Sequence, residues 1–296
     1  DRDRYFTAVR HTEKKGAGYL MNAKTKKRVS RGIVYVICAF MAFLVLFPFL
    51  LVLLTSFKSV SEAAVVTFSL PEKFLWENFA YVIEKGQLLR AFKNSLIITG
   101  SAVTLTVFVA SITAFVLTRR SDRLSRILSN YFLIGMIAPL SLIPEVMIVK
   151  FLGLSGTYAA IILIHVASRL PLSIMIYSGV IKGIPRSLDE SAMLEGCGLL
   201  SMFYRVIFPL LKPAVFTNII ITFMGVWNDF QISLYFVTDT AKNTLPLSIY
   251  SFVGYMTYKW NYVCAFIVLS ILPILLIYGI AQKYIVDGMI AGAVKS

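Results

Sequence analysis

Six long apolar runs punctuate the chain, at residues 32–56, 94–117, 127–149, 157–181, 213–236 and 260–282, and within them the charged residues are Glu145, Arg169 and Asp229 alone. A bilayer hydrocarbon core about 30 Å thick is crossed by about 20 residues of helix rising about 1.5 Å each. Helices satisfy their own backbone hydrogen bonds, which irregular chain in lipid cannot do. The pattern therefore predicts an all-α membrane protein with six transmembrane helices. The first run follows a basic segment, exceeds the usual length of a signal-peptide core and has no convincing small-x-small cleavage site, so it is read as a retained helix.

Composition agrees with this reading: 58% of the 296 residues are hydrophobic, 15% are charged and the mean hydropathy is +0.77, far from a soluble enzyme. The net charge of +14 raises nucleic acid, anionic lipid and membrane topology as explanations. Its distribution decides. Residues 1–31, the loops 118–126 and 182–212 and the C-terminal tail hold twenty of the 29 Lys and Arg, against eight in the alternate connections. Positive charge is retained on the cytoplasmic side, so both termini are expected there, in a multi-pass membrane protein. No nucleic-acid role is expected. Cys38, Cys197 and Cys264 are scattered and offer neither a disulfide framework nor metal-ligand spacing.

The most patterned connection lies between the fourth and fifth runs, at 183–209. Pro185 and Ser187 followed by Asp189 and Glu190 form a helix start, and Gly196 and Gly198 a helix stop. A second amphipathic piece, Leu199 to Phe208, is expected to end at Pro209 and Pro213. This helix-turn-helix is too polar to enter the bilayer and too regular for a tether. A rigid element joined to two spans can act as a lever for a cytoplasmic partner.

The loop resembles the signature of binding-protein-dependent ABC importer permeases: Glu-Ala-Ala, three residues, Gly, nine residues, Ile, one residue, Leu-Pro. Here the positions are Glu190, Ser191 and Ala192, then Gly196, Val206, Phe208 and Pro209. Further similarity, to the six-span partner of the permease pair in maltose-type carbohydrate importers, lies in Asn94-Ser95-Leu96, Trp227-Asn228-Asp229-Phe230, Thr244-Leu245-Pro246-Leu247 and the tail. It spans residues 32–296 as one permease domain of type I importer fold and leaves 1–31 as a basic extension. The resemblance implies that Asp189, Glu190, Ser191, Ala192, Leu194, Gly196 and Gly198 couple to an ATPase subunit, with the tail residues Ala291, Gly292, Ala293, Val294 and Lys295 reaching between two ATPase copies. It also implies that the loop with Tyr250, Phe252 and Tyr255 meets a periplasmic or lipid-anchored sugar-binding protein. A second homologous permease, an ATPase homodimer, membrane lipid and an oligosaccharide complete the expected partners. The chain has no phosphate-binding Gly-x-x-x-x-Gly-Lys-Ser/Thr loop. ATP and Mg are therefore expected on the partner, with no cofactor, metal or catalytic residue here.

Charge inside a span is costly and marks a functional hypothesis. Arg169 and His165 share a helix face near mid-membrane, and Trp227, Asn228, Asp229 and Gln231 follow in the fifth run. These six are the candidate substrate path, in which Arg169 would favour acidic saccharides. The competing reading pairs Arg169 with Asp229, or with carbonyls freed by Pro171. An ion-gradient secondary transporter is the alternative class; it would use Asp229 as its coupling acid, but no internal repeat supports it. An intramembrane enzyme lacks its ligands, since the histidines are only His11 and His165.

Overall fold

The computed structural model describes residues 31–137, 141–254 and 257–293. Its helices are α1 (Arg31–Ser56), α2 (Val60–Ala63), α3 (Glu77–Lys85), α4 (Leu88–Arg119), α5 (Arg123–Ile137), α6 (Leu142–Phe151) and α7 (Tyr158–Lys182). They continue as α8 (Ser187–Leu194), α9 (Leu199–Met202), α10 (Phe208–Leu210), α11 (Lys212–Trp227), α12 (Gln231–Phe236), α13 (Leu245–Ser248) and α14 (Trp260–Ala293). A two-residue antiparallel pair, β1 (Val253–Gly254) and β2 (Thr257–Tyr258), is the only strand structure among the described residues. The basic extension before Arg31 lies outside them.

By themselves α1, α4 and α7 are long and apolar enough to cross a bilayer. The helices α4 and α7 run parallel, because Tyr158 Oη donates to Asn94 Oδ1 at one end (2.9 Å) and Arg119 reaches the Ile184 carbonyl at the other (3.2 Å). The chain between them must therefore travel back once. That return is made by α5 and α6, two helices where the sequence pattern predicts one span at 127–149. Pro144 sits in the first turn of α6, where a missing N–H costs least.

The fifth run, expected as 213–236, is likewise divided. Asn228 caps the last turn of α11 through Nδ2 to the Met224 carbonyl (2.9 Å). Asp229 Oδ2 then accepts from the Ile232 and Ser233 amides (2.9 and 3.3 Å) and starts α12. Two polar side chains thus satisfy the backbone groups that a break inside an apolar run would orphan. The second run begins at Leu88 rather than 94, and the last helix continues past 282 to Ala293.

Among the described residues the polar connections fall at two ends. One end carries α2, α3, the α6–α7 turn and the 237–259 segment; it is called the cap end here. The other, the hairpin end, carries the α4–α5 turn and the hairpin 183–211. Between them a polar chain crosses the α7–α11 contact: Ser173 Oγ donates to Asn218 Oδ1, and Asn218 Nδ2 donates to Tyr177 Oη, both at 2.9 Å and buried. Such bonds between helices are worth about 1 kcal/mol each in lipid and fix rotation about the helix axes.

At the cap end Asn78 Nδ2 donates to the Ser56 and Lys58 carbonyls (2.9 Å each) and Asn78 Oδ1 accepts from Asn261 Nδ2 (3.2 Å), tying α1, α3 and α14 together. Glu62 closes a loop beside it. Its carboxylate accepts from the Glu72 amide (3.0 Å) and from the Ser59 amide and hydroxyl (2.8 and 2.7 Å). These donors, the Glu72 amide foremost, hold its pKa down to about 2 from 4.5. A depressed carboxylate contributes stability that is complete above about pH 4.5 and is lost as pH falls through about 2. Limited proteolysis of residues 57–76 should find the loop closed at neutral pH and opening across that window. Glu62→Gln should open it already at neutral pH, and identical profiles would contradict the assignment.

Candidate functional site

The hairpin is built from the helix stop outward. Gly196 sits at φ +81°, the left-handed conformation a side chain disfavours. There the Cys197 amide donates to the Ala192 carbonyl and the Gly196 amide to the Met193 carbonyl, both at 2.9 Å. This paired arrangement ends α8 and turns the chain into α9. From Leu199 to Leu210 the helix is continuous through a π turn at Phe203–Ile207, in which the Phe208 amide reaches back to the Phe203 carbonyl. Pro209 offers no N–H, so the widened turn precedes it. The segment ends at Leu210, one residue past the expected Pro209, and bends by 79° into α11.

An eight-residue helix is not stable alone, and two contacts hold α8 against the bundle. Ala192 is buried in the same apolar cluster as Met202, Phe203, Phe115 and Tyr177. Arg119, the last residue of α4, ion-pairs with Asp189 (Nε to Oδ2, 2.6 Å; Nη2 to Oδ1, 3.3 Å) and donates to the Ile184 carbonyl. Both side chains of the pair are nearly buried, at 13% and 7% exposure. Asp189 is therefore turned inward, and of the coupling residues expected from sequence it and Ala192 belong to the anchoring face. Glu190, Ser191, Leu194, Gly196 and Gly198 are exposed, with Leu194 at 90% and the neighbouring Met193 at 54%. One face grips the bundle and the other is free, with apolar residues on it.

At the cap end Asn94 and Ser95 open the apolar part of α4 and hold the loop before α13. Asn94 Nδ2 donates to the Ala241 and Asn243 carbonyls (2.9 Å each), and Ser95 Oγ accepts from the Leu245 amide (2.8 Å). Lys242 Nζ donates to the Gly156 carbonyl (2.6 Å) and lies over the Tyr158 ring. Two sequence motifs some 150 residues apart are thus one clasp. Beyond it Tyr250 is exposed and stacks on Phe230 (4.9 Å). Phe252, expected as a contact residue, is instead buried: it is 7% exposed and packs on Tyr81, Tyr262 and Phe266. Tyr255 lies outside the described residues.

The mid-membrane group is only partly assembled. His165 is buried and its Nε2 lies 4.0 Å from Asp229 Oδ2, whose primary work is capping α12. Arg169 makes no ion pair with Asp229. Its guanidinium rests on Gly225 of α11, where an added Cβ would come within 2.6 Å of Cζ, and its buried Nε has no hydrogen-bond partner. Asn228 and Gln231 are exposed, whereas Trp227 is 3% exposed between Phe92 and Phe223 and serves packing instead of a path. Ala291, Gly292 and Ala293 fall in the last turns of α14; Val294 and Lys295 lie outside the described residues. Among the described residues no group of His, Cys, Asp and Glu is arranged to hold a metal.

Residues 102–291, covering the hairpin and both of its flanking spans, match the family model described as a binding-protein-dependent transport system inner membrane component. The chain belongs to that family. It is 33% identical over 253 residues to a probable starch degradation products transport system permease protein of Thermoanaerobacterium thermosulfurigenes, covering 84% of this chain and 91% of the relative. It is 32% identical over 276 residues to a melibiose/raffinose/stachyose import permease protein of Bacillus subtilis (92% and 99% covered). It is 33% identical over 266 residues to a trehalose/maltose transport system permease protein of Thermococcus litoralis (86% and 93%). Its fold matches a chain of a bacterial ABC transporter involved in the import of the acidic polysaccharide alginate, with a TM-score of 0.77 at 20% identity over 87% of this chain and 96% of that one. The permease is a translocation component of a membrane transport system, and the likeness to carbohydrate importers read from its motifs extends over most of its length.

Proposed function

We propose that this permease passes oligosaccharides from an extracytoplasmic binding protein into the cytoplasm, with the hairpin end cytoplasmic and gripped by a separate ATPase subunit. The observation that carries the reading is the hairpin itself. Its inner face is pinned to α4 and its apolar outer face is free, so a push on α8 moves the end of a 32-residue helix. Nucleotide binding by an ATPase pair would shift the bundle between openings through differential affinity for the two arrangements. The relatives named above transport starch products, melibiose and maltose, which supports a saccharide as cargo. At the other end the Asn94 clasp presents Tyr250 toward the binding protein.

Arg169 sets the preference among saccharides. A guanidinium half-buried in a span, with no ion-pair partner among the described residues, is costly, and a uronate carboxylate would complete its bidentate geometry. In vesicles holding the complete transporter, uptake should require internal ATP and the binding protein. Uptake driven by an ion gradient without the ATPase would contradict the proposal. Arg169→Ala should lower uptake of an acidic oligosaccharide about 10-fold more than that of a neutral one; equal losses would assign Arg169 to structure.

A further inference from the structure

Two cavities open at the hairpin end beside the coupling contacts. One, of about 290 Å³, lies between the ends of α4 and α7 and is lined by Thr118, Arg119, Lys182 and Arg186. The other, of about 560 Å³, lies between α4 and the hairpin, with Ile112, Phe115 and Val116 on one wall and Leu200 and Phe203 on the other. Arg119 and Arg186 line both, and Arg120 lines the larger.

Charge and depth identify what would fill them. Asp189 is neutralised by Arg119, which leaves Glu190 as the one unpaired acid in the cavity walls, against Arg120 and Arg186 in the larger cavity and Lys182 and Arg186 in the smaller, all three cations exposed. The hydroxyl of Thr118 is buried in the wall of the smaller cavity without a hydrogen-bond partner. The basic residues end two apolar spans and so mark the membrane surface. Ile112 precedes Arg119 by seven residues, about 10 Å deeper along the helix axis. The walls thus pass from cationic at the headgroup level to apolar at the acyl level. A free phosphate would need only the first, and a soluble protein segment would not require the second to lie at bilayer depth.

We propose that the permease binds one anionic phospholipid of the leaflet facing the hairpin, its phosphate among Arg120, Lys182 and Arg186 and an acyl chain along Ile112, Phe115 and Val116. The bound lipid would brace α8 beside the Arg119–Asp189 pair, in a cavity whose wall α8 completes with Asp189, Glu190 and Met193. The inference rests on the membrane placement proposed above and is independent of which saccharide is carried.

The test uses the complete transporter in nanodiscs of phosphatidylcholine containing a minor fraction of phosphatidylglycerol with a photoreactive acyl chain. Labelling should concentrate on peptides covering 112–120 and 199–203. Near a membrane surface each cation contributes about fivefold in affinity for anionic lipid, so Lys182→Gln with Arg186→Gln should lower that labelling about 30-fold. Labelling of α1, whose most apolar stretch buries none of its residues in this chain, should be unchanged, and co-purification of the variant with its partner subunits shows that it is folded. The proposal is overturned if the variant is labelled like the wild type, if photoreactive phosphatidylcholine labels the site equally, or if inorganic phosphate alone abolishes labelling. These outcomes are separate from loss of ATP-driven uptake, which would instead count against the transport reading.

Discussion

Asp189→Ala should abolish coupled transport while leaving the chain inserted in the membrane. The carboxylate is 7% exposed and meets Arg119 at 2.6 Å. Removing it strands a guanidinium at a nearly buried site, and breaking such a pair costs about 3–5 kcal/mol. The hairpin would lose the contact that fixes its first turn, leaving the packing of Ala192 and the Ile184 carbonyl bond to hold it. Arg119→Ala should be at least as severe, because it also removes both donors to that carbonyl. The combination Arg119→Leu with Asp189→Leu replaces the pair by apolar groups and should recover much of the stability lost in either single variant. Thermal unfolding of the purified permease and ATP-driven uptake check this. Single variants within about 1 kcal/mol of wild type would show that the pair does not anchor α8.

Asn94→Ala should produce the second largest loss, at the opposite end. The side chain is 4% exposed and serves three partners: the Ala241 and Asn243 carbonyls and the Tyr158 hydroxyl. Deleting it leaves all three without this partner at a part-buried site, a cost of about 3 kcal/mol. The Ser95 bond to Leu245 would then hold the loop with the Lys242 contacts alone. Uptake should fall through weaker engagement of the binding protein, so raising the binding-protein concentration should restore part of the rate. Asn94→Asp keeps the acceptor for Tyr158 but not the two donors and should lie between wild type and Ala. An uptake defect that no binding-protein concentration relieves would place the fault in the bundle instead.

Much of this architecture was legible in the order of residues because lipid imposes a single rule, that long uncharged runs become helices. The hairpin was legible for a different reason: Gly196 is a position where backbone conformation demands glycine, and Pro185 and the acids of the first turn mark the start of α8. Breaks within runs were harder to see. Asn228 and Asp229 stood out as polar groups that could contact cargo, whereas they cap α11 and α12 and so allow the fifth run to break. Trp227 and Phe252 carried the aromatic character expected of contact residues, but burial is a property of the assembled bundle that residue type does not encode. The same limit applied to Asp189, whose partner Arg119 lies 70 residues earlier and was read only as one of the charges that orient the chain. The Asn94 clasp could have been suspected, since polar residues at the mouth of an apolar run need partners. Only the three-dimensional arrangement shows that the partners are loop carbonyls.

The account stands most directly on what touches the free face of α8. A photoreactive amino acid at position 194, in place of the 90% exposed Leu194, should crosslink to the ATPase subunit in the complete transporter, whereas the same group at the exposed Leu89 at the cap end should not. An adduct from position 194 to the extracytoplasmic binding protein, or one from position 89 to the ATPase, would contradict it.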